Sequence, residues 1–108
     1  MKKPVRKESA VQRSVIQYLR LKKYHFDRIN SGATLIKEPG KKPRYVKFST
    51  PGMADIIACV NGMFYAIEIK SSVGKQNENQ KRFQEKVESS GGKYLIIREI
   101  EDLQKAGL

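Results

Sequence analysis

Asn61-Gly62 is the feature that most narrows the folds open to this chain. Both residue types tolerate positive φ, which makes the pair the preferred corner of a two-residue type I′ β-hairpin. Apolar stretches, 54–60 and 63–70, flank the corner, and Asp55 is the one charge in the first. Counting outward from such a turn sets the pairing. Val60 faces Met63, and Asp55 comes directly opposite Glu68. This is a non-hydrogen-bonded position, where Cα atoms stand about 4.5 Å apart. Side chains alternate along strands, so Asp55, Glu68 and Lys70 leave one face of the sheet. A one-residue bulge would turn Asp55 to the other face.

Two carboxylates placed opposite each other on an apolar hairpin repel, and burial raises the cost of both charges. A divalent cation between them reverses the sign. Mg²⁺ commonly takes one or two carboxylates and leaves its other positions to water and phosphate oxygens. Such an ion polarises a phosphate and acidifies a bound water. Lys70 is placed to orient that water or to stabilise charge developing on the phosphate. The structural alternative is a strand end at which Lys70 merely neutralises two acids.

The remaining chain reads as a mixed β-sheet flanked by helices, an α/β class. Val11, Val15, Tyr18 and Leu19 form one apolar stripe, predicting a helix over 9–23. Ser9 and Gln12 have the spacing of a capping box. A short strand is predicted over 25–30, broken by Ser31-Gly32. Residues 33–37 and 44–49 have strand character, and the segment reads equally as a basic β-hairpin or a mobile loop. Thr50-Pro51-Gly52 is a turn. A second helix, 77–89, starts with Asn77 and Gln80 at capping-box spacing and ends at Gly91-Gly92. A strand over 93–98 and a short helix over 101–106 close the chain. Tyr65, Ile67 and Ile69 are expected on the sheet face opposite the carboxylates, with Phe83 and Val87 in the core. Cys59 reads as a small core residue, Gln84 as surface, and His25 as lying outside the acidic cluster.

At 108 residues the chain suits one domain, 1–108, with one modest core. No apolar run approaches the ~20 residues that span a bilayer, so a cytoplasmic, intracellular protein without a membrane partner is expected. Its single cysteine allows no internal disulfide and no cysteine-based zinc site. Lys and Arg number 22 against 11 Asp and Glu, a formal charge of +11 that favours a polyanionic partner, nucleic acid before a membrane surface. Lys41, Lys42, Arg44, Lys47, Lys81 and Arg82 are the candidates for gripping phosphates.

Gly52-x-x-Asp55, Glu68-Ile69-Lys70, Gly74 and a helix bearing Gln80 together resemble the VRR-NUC branch of the PD-(D/E)xK nucleases. The Gly91-Gly92 turn and closing strand continue the resemblance over nearly the whole chain; Ala54 departs from it, standing where the signature has proline. The resemblance implies a restriction-endonuclease-like core. It implies that Asp55, Glu68 and the carbonyl of Ile69 hold Mg²⁺ or Mn²⁺, with Lys70 as the catalytic lysine. Glu8 matches a family glutamate at the start of the first helix, and Gln80 a family glutamine on the later one. Each has a plainer reading: Glu8 as an acid favoured by the helix dipole, Gln80 as half of a capping box. Stand-alone members are similar to Holliday-junction resolvases and act as homodimers. The expectation is therefore a metal-dependent DNA endonuclease, selective for branched DNA; a virus-encoded enzyme acting in a host cell would fit one so compact. Its rivals are a non-catalytic nucleic-acid-binding module and a dimerising protein with an inactive nuclease fold.

Overall fold

A computed structural model describes residues 7–29, 32–47 and 50–108, the Lys47 side chain excepted. The predicted extensions of strands through Asn30 and through Phe48 and Ser49, and the break at Ser31, lie outside the described residues. The order of elements is α1 (Glu8–Leu21), β1 (His25–Arg28), β2 (Ala33–Ile36), β3 (Arg44–Lys47), β4 (Ile56–Val60), β5 (Met63–Ile69), α2 (Glu78–Ser89), β6 (Lys93–Ile97) and α3 (Ile100–Lys105). The molecule is mixed α/β. Four strands form a mixed sheet in the order β1-β4-β5-β6, and β2 and β3 form a separate two-stranded ribbon. Among the described residues no helix is long and apolar enough to cross a membrane.

The Asn61-Gly62 corner forms as the sequence demands, with φ of 51° and 79°. Val60 pairs with Met63, and the register continues without a bulge to Ile56 and Ile67. β6 then joins β5 in parallel, Glu68 beside Ile96 and Ile69 beside Ile97. A parallel neighbour cannot be reached by a tight turn, and α2 supplies the crossover.

Strand alternation divides the sheet into two packed faces. On one, Ile56, Ala58, Val60, Ile67, Ile69 and Ile97 meet Val11, Val15 and Leu19 of α1 and Leu103 of α3. Tyr65 packs against this cluster, as expected. The Tyr18 and Tyr24 hydroxyls both donate to the Leu108 carbonyl, at 3.0 and 2.9 Å, tying the last described residue to α1 and to the turn that follows it. On the other face α2 lays Val87 and Phe83 over Ala54, Ala66, Tyr94 and Ile96.

Four expectations need correction. α1 begins one residue early, with Lys7 as its N-cap and no side-chain cap bond, so Ser9 lies inside the helix and the Ser9–Gln12 box does not form. Lys7 is already extended there, which lets Glu8 open the helix. Cys59 is exposed rather than in the core, because α2 covers the β5–β6 side of the sheet and leaves the Cys59 side of β4 open. Gln84 is half-buried and accepts a 2.8 Å bond from Gln76 Nε2, having been expected on the surface. Asp55 precedes β4 instead of lying within it.

Candidate functional site

The site is assembled at the end of the β4–β5 hairpin away from its turn. Glu68 is on β5, and Lys70 follows that strand; they are 3% and 8% exposed. Asp55 reaches them by a different route from simple ladder pairing. Its backbone carbonyl accepts from Ile29 N–H at 2.8 Å, and its Oδ2 accepts from Ile69 N–H at 2.7 Å. The carboxylate therefore takes over the ladder's role at the strand end, which holds it across from Glu68. The Asp55 carboxylate lies close enough to Glu68 to raise its pKa by charge.

Glu68 is the group under greatest electrostatic load. Burial is the main cause, and the Asp55 carboxylate adds to it; together they push the Glu68 carboxyl up to about 8. Lys70 opposes the rise, its Nζ lying 3.9 Å from Glu68 Oε1, and the charge of Glu8 adds a minor push upward. Glu68 Oε1 also accepts from Gln80 Nε2 at 2.9 Å. Glu68 Oε2 is buried and has no hydrogen-bond partner among the described residues. A buried polar atom left without a partner carries a substantial desolvation cost, which makes Oε2 the open position of this cluster.

Gln80 fills both roles that the sequence left as alternatives. Its backbone N–H donates to Asn77 Oδ1 and its Oε1 accepts from Asn77 N–H, each at 2.9 Å, completing the capping box. The same side-chain amide still has its NH₂ free to reach Glu68. The cap thus fixes the rotamer that delivers the donor. Gly52 makes the approach possible: it has φ +82°, and a Cβ there would fall on the backbone of Asn79 and Gln80. The turn before Asp55 is pressed against the first turn of α2, and only a residue without a side chain permits it.

The loop after Lys70 is braced by a residue that carries no motif in the sequence. Arg98 donates to the carbonyls of Ser71 and Gly74 at 2.7 and 2.6 Å, and Ser71 Oγ accepts from Gly74 N–H at 2.9 Å. Gly74 consequently lies against the aliphatic stem of Lys70. Tyr94 is likewise unmarked in the sequence. Its hydroxyl is buried with no hydrogen-bond partner among the described residues, and burial pushes its pKa up to about 12. The charges of Glu68 and Asp55 add to that rise, while the Gln76 side chain opposes it. A parallel register is not fixed by counting from a turn, so nothing in the sequence alone set Arg98 or Tyr94 beside this cluster.

Asp55, Glu68, Lys70, Ile69 and Gln80 are therefore brought together; Glu8 is exposed and acts on Glu68 through its charge. Lys81 and Arg82 are exposed on the turn of α2 that carries Gln80 and contact Glu78 and Asn79 of the same helix. Lys41, Lys42 and Arg44 lie apart on the ribbon, where Lys41 and Arg44 flank Glu38 at 3.2 and 3.7 Å. Lys47 ends β3. Among the described residues no three His, Cys, Asp or Glu side chains form a metal-binding group. The pair Asp55–Glu68 nevertheless fits a hard cation that draws only one or two carboxylates from protein, and the unpartnered Oε2 gives that fit a specific atom. The sequence matches no family model and none of the curated proteins.

Proposed function

We propose that this chain is a metal-dependent endonuclease of the PD-(D/E)xK type, hydrolysing phosphodiester bonds in DNA, and that it is of the VRR-NUC kind its sequence resembles. The observation that carries the reading is the buried Glu68 carboxyl beside half-buried Asp55, with Glu68 Oε2 unpartnered among the described residues and Lys70 alongside. A protein gains nothing in stability from holding a second acid against a buried one, so a ligand that needs both is the economical explanation. Asp55, Glu68 and the Ile69 carbonyl would hold Mg²⁺ or Mn²⁺. Bound there, the ion would supply a Lewis acid for the phosphate and lower the pKa of a coordinated water.

The chain's own residues do the remaining work. Lys70, on a stem packed against Gly74, presents a fixed cation toward charge developing on the phosphate. Gln80 holds Glu68 Oε1, so the carboxylate keeps Oε2 turned into the site. Ile69 N–H does the same for Asp55 through Oδ2. Lys81 and Arg82 bind flanking phosphates from the exposed side of α2.

Incubation of plasmid, linear and four-way-junction DNA with Mg²⁺, Mn²⁺ or EDTA tests the reading: cleavage with either metal and none with EDTA is expected. Retention of all three DNAs without strand scission under any condition would leave a nucleic-acid-binding module, the reading that the +11 charge supports independently of the acidic pair. The resolvase reading adds a homodimer, since one proposed site per chain cuts one strand. Light scattering should give twice the 12.4 kDa chain mass, with the junction cut in preference to its linear arms.

A further inference from the structure

The β2–β3 ribbon stands apart from both cores. It makes no extensive contact with any other described element, and its strands pair only with each other. The radius of gyration is 16.1 Å, against ~13 Å for a compact domain of this length, as expected when part of the chain stands off the body. An isolated two-stranded ribbon is marginal in water, yet this one exposes apolar side chains as well. Leu35 and Tyr45 face each other across the ribbon at 42% and 76% exposure, and Val46 on the opposite face is 36% exposed. Half of the large, exposed apolar residues among those described lie in these two short strands.

The surrounding charge says what kind of partner would cover them. Between 33 and 47 the sequence has Lys37, Lys41, Lys42, Arg44 and Lys47 against the single acid Glu38. A second copy of a chain with a net charge of +11 would bring like charges together, whereas a polyanion would neutralise them. Phosphates alone, however, need no tyrosine and leucine. An aromatic and an aliphatic side chain set among cations match the faces of nucleobases and the phosphates beside them.

We infer that the ribbon is a base-stacking arm, on which Tyr45, backed across the ribbon by Leu35, packs against nucleobases not stacked in a continuous duplex. Lys41, Lys42 and Arg44 hold the neighbouring phosphates. The inference rests on the nuclease reading for the identity of the polymer as DNA, and it deepens that reading by assigning the preference for broken or branched structure to named side chains. A continuous duplex hides its base faces and offers the arm only phosphates; a junction or single strand offers both.

Fluorescence anisotropy in EDTA measures binding of the full chain without cleavage, using a single-stranded oligonucleotide, a four-way junction and a long continuous duplex. Tyr45→Ala should bind the first two about tenfold more weakly, the loss of one base–aromatic stack, and the duplex within about twofold. Tyr45→Phe should bind like wild type, since the ring is kept. Replacing Lys41, Lys42 and Arg44 by Ala should instead weaken all three complexes and flatten the salt dependence by about 0.9 for each duplex phosphate that is no longer neutralised. Wild-type affinity of Tyr45→Ala for the single strand and junction overturns the inference, as does an equal loss on the duplex. Conversion of a dimer to a monomer by Tyr45→Ala in light scattering also overturns it, assigning the ribbon to a second copy. Cleavage by wild type in Mg²⁺ is scored separately. A cleaving enzyme indifferent to Tyr45→Ala fails this inference alone, and a stacking arm on a chain that never cleaves fails the nuclease reading alone.

Discussion

Two antiparallel hairpins of similar strand chemistry meet opposite fates in this molecule. In β4–β5, one set of alternate side chains packs against α1 and α3, and α2 covers the other set near β6 while Cys59 and Phe64 stay exposed. At the strand end Glu68 and Lys70 are buried beside half-buried Asp55. In β2–β3 no other described element packs extensively on the ribbon, and Lys37, Lys41, Lys42 and Arg44 are exposed. The same secondary structure therefore gives a low-dielectric pocket, where one charge strongly perturbs its neighbour, and a high-dielectric arm, where charges act additively on a polyelectrolyte. Chemistry that depends on a shifted pKa belongs in the first region, and affinity that depends on salt belongs in the second.

The largest expected effect breaks the comparison if it fails. Asp55→Asn, Glu68→Gln and Lys70→Ala should each reduce cleavage at saturating DNA by ~100-fold or more while leaving the salt dependence of binding unchanged. Ribbon substitutions should do the reverse. Single-turnover cleavage, run beside circular dichroism and anisotropy titrations, separates the two. A folded Lys70→Ala protein that cleaves at the wild-type rate would remove the lysine from the mechanism.

Stability against pH should distinguish the regions next. The Glu68 carboxyl is raised from 4.5 to about 8 in the folded chain, so the folded state keeps a proton that the unfolded state has lost across that range. Below the lower value both states are protonated and there is no effect. As pH climbs toward the upper value the metal-free protein should lose stability, and a divalent ion, taking the place of the proton, should restore it. Thermal melts at pH 5 and pH 8, with and without Mg²⁺, read this directly. Glu68→Gln should flatten the pH response and the metal response together, while replacing Lys41 and Lys42 should alter neither. A metal response that survives Glu68→Gln would put the ion elsewhere.

The hairpin arithmetic explains why so much of the site was legible in the sequence. A two-residue turn with positive φ at both positions fixes register over its whole length, so the juxtaposition of Asp55 and Glu68 followed from Asn61-Gly62. What counting could not supply was the local exit from the ladder that lets Asp55 Oδ2 capture Ile69 N–H. The ribbon was undecidable between hairpin and loop because its strands have no buried face to impose alternation. Arg98 and Tyr94 were invisible because parallel pairing through a crossover helix depends on tertiary packing. Cys59 misled because an apolar strand pattern does not reveal how far a single covering helix extends.

A pair of glycines sharpens the contrast at the level of backbone. Gly40, at the ribbon turn, has φ +76° with open space where a Cβ would be, and Gly52 has φ +82° against the backbone of α2. Gly40→Ala should cost only the ~1–2 kcal/mol of a left-handed alanine. Gly52→Ala incurs the same conformational penalty plus ~1–3 kcal/mol of overpacking, and it should displace the first turn of α2 and with it Gln80. Urea denaturation gives both costs, and equal values would mean that the Gly52 turn is free to move away from the helix.

The smallest effect tests whether the cap of α2 and the chemistry of the site are one device. Asn77→Ala removes the acceptor for Gln80 N–H and should cost about 1 kcal/mol in stability. Its effect on positioning is indirect: the Gln80 amide keeps its bond from Asn77 N–H, and its reach to Glu68 Oε1 suffers only as the first turn of α2 loosens. Gln80→Glu divides the two roles. A glutamate at this position still accepts from Asn77 N–H and preserves the capping box, but it brings a third carboxylate toward Glu68 in place of an NH₂ group. Stability of the helix should then survive in Gln80→Glu, while cleavage falls and the metal dependence shifts to lower metal concentration as the site gains negative charge. In Asn77→Ala the stability loss should be accompanied by only a several-fold drop in rate, because water can replace the lost cap and the bond from Asn77 N–H still orients the Gln80 amide. If Gln80→Glu left both the rate and the metal titration at wild-type values, the contact with Glu68 would be a by-product of capping, and the glutamine would belong to the helix alone.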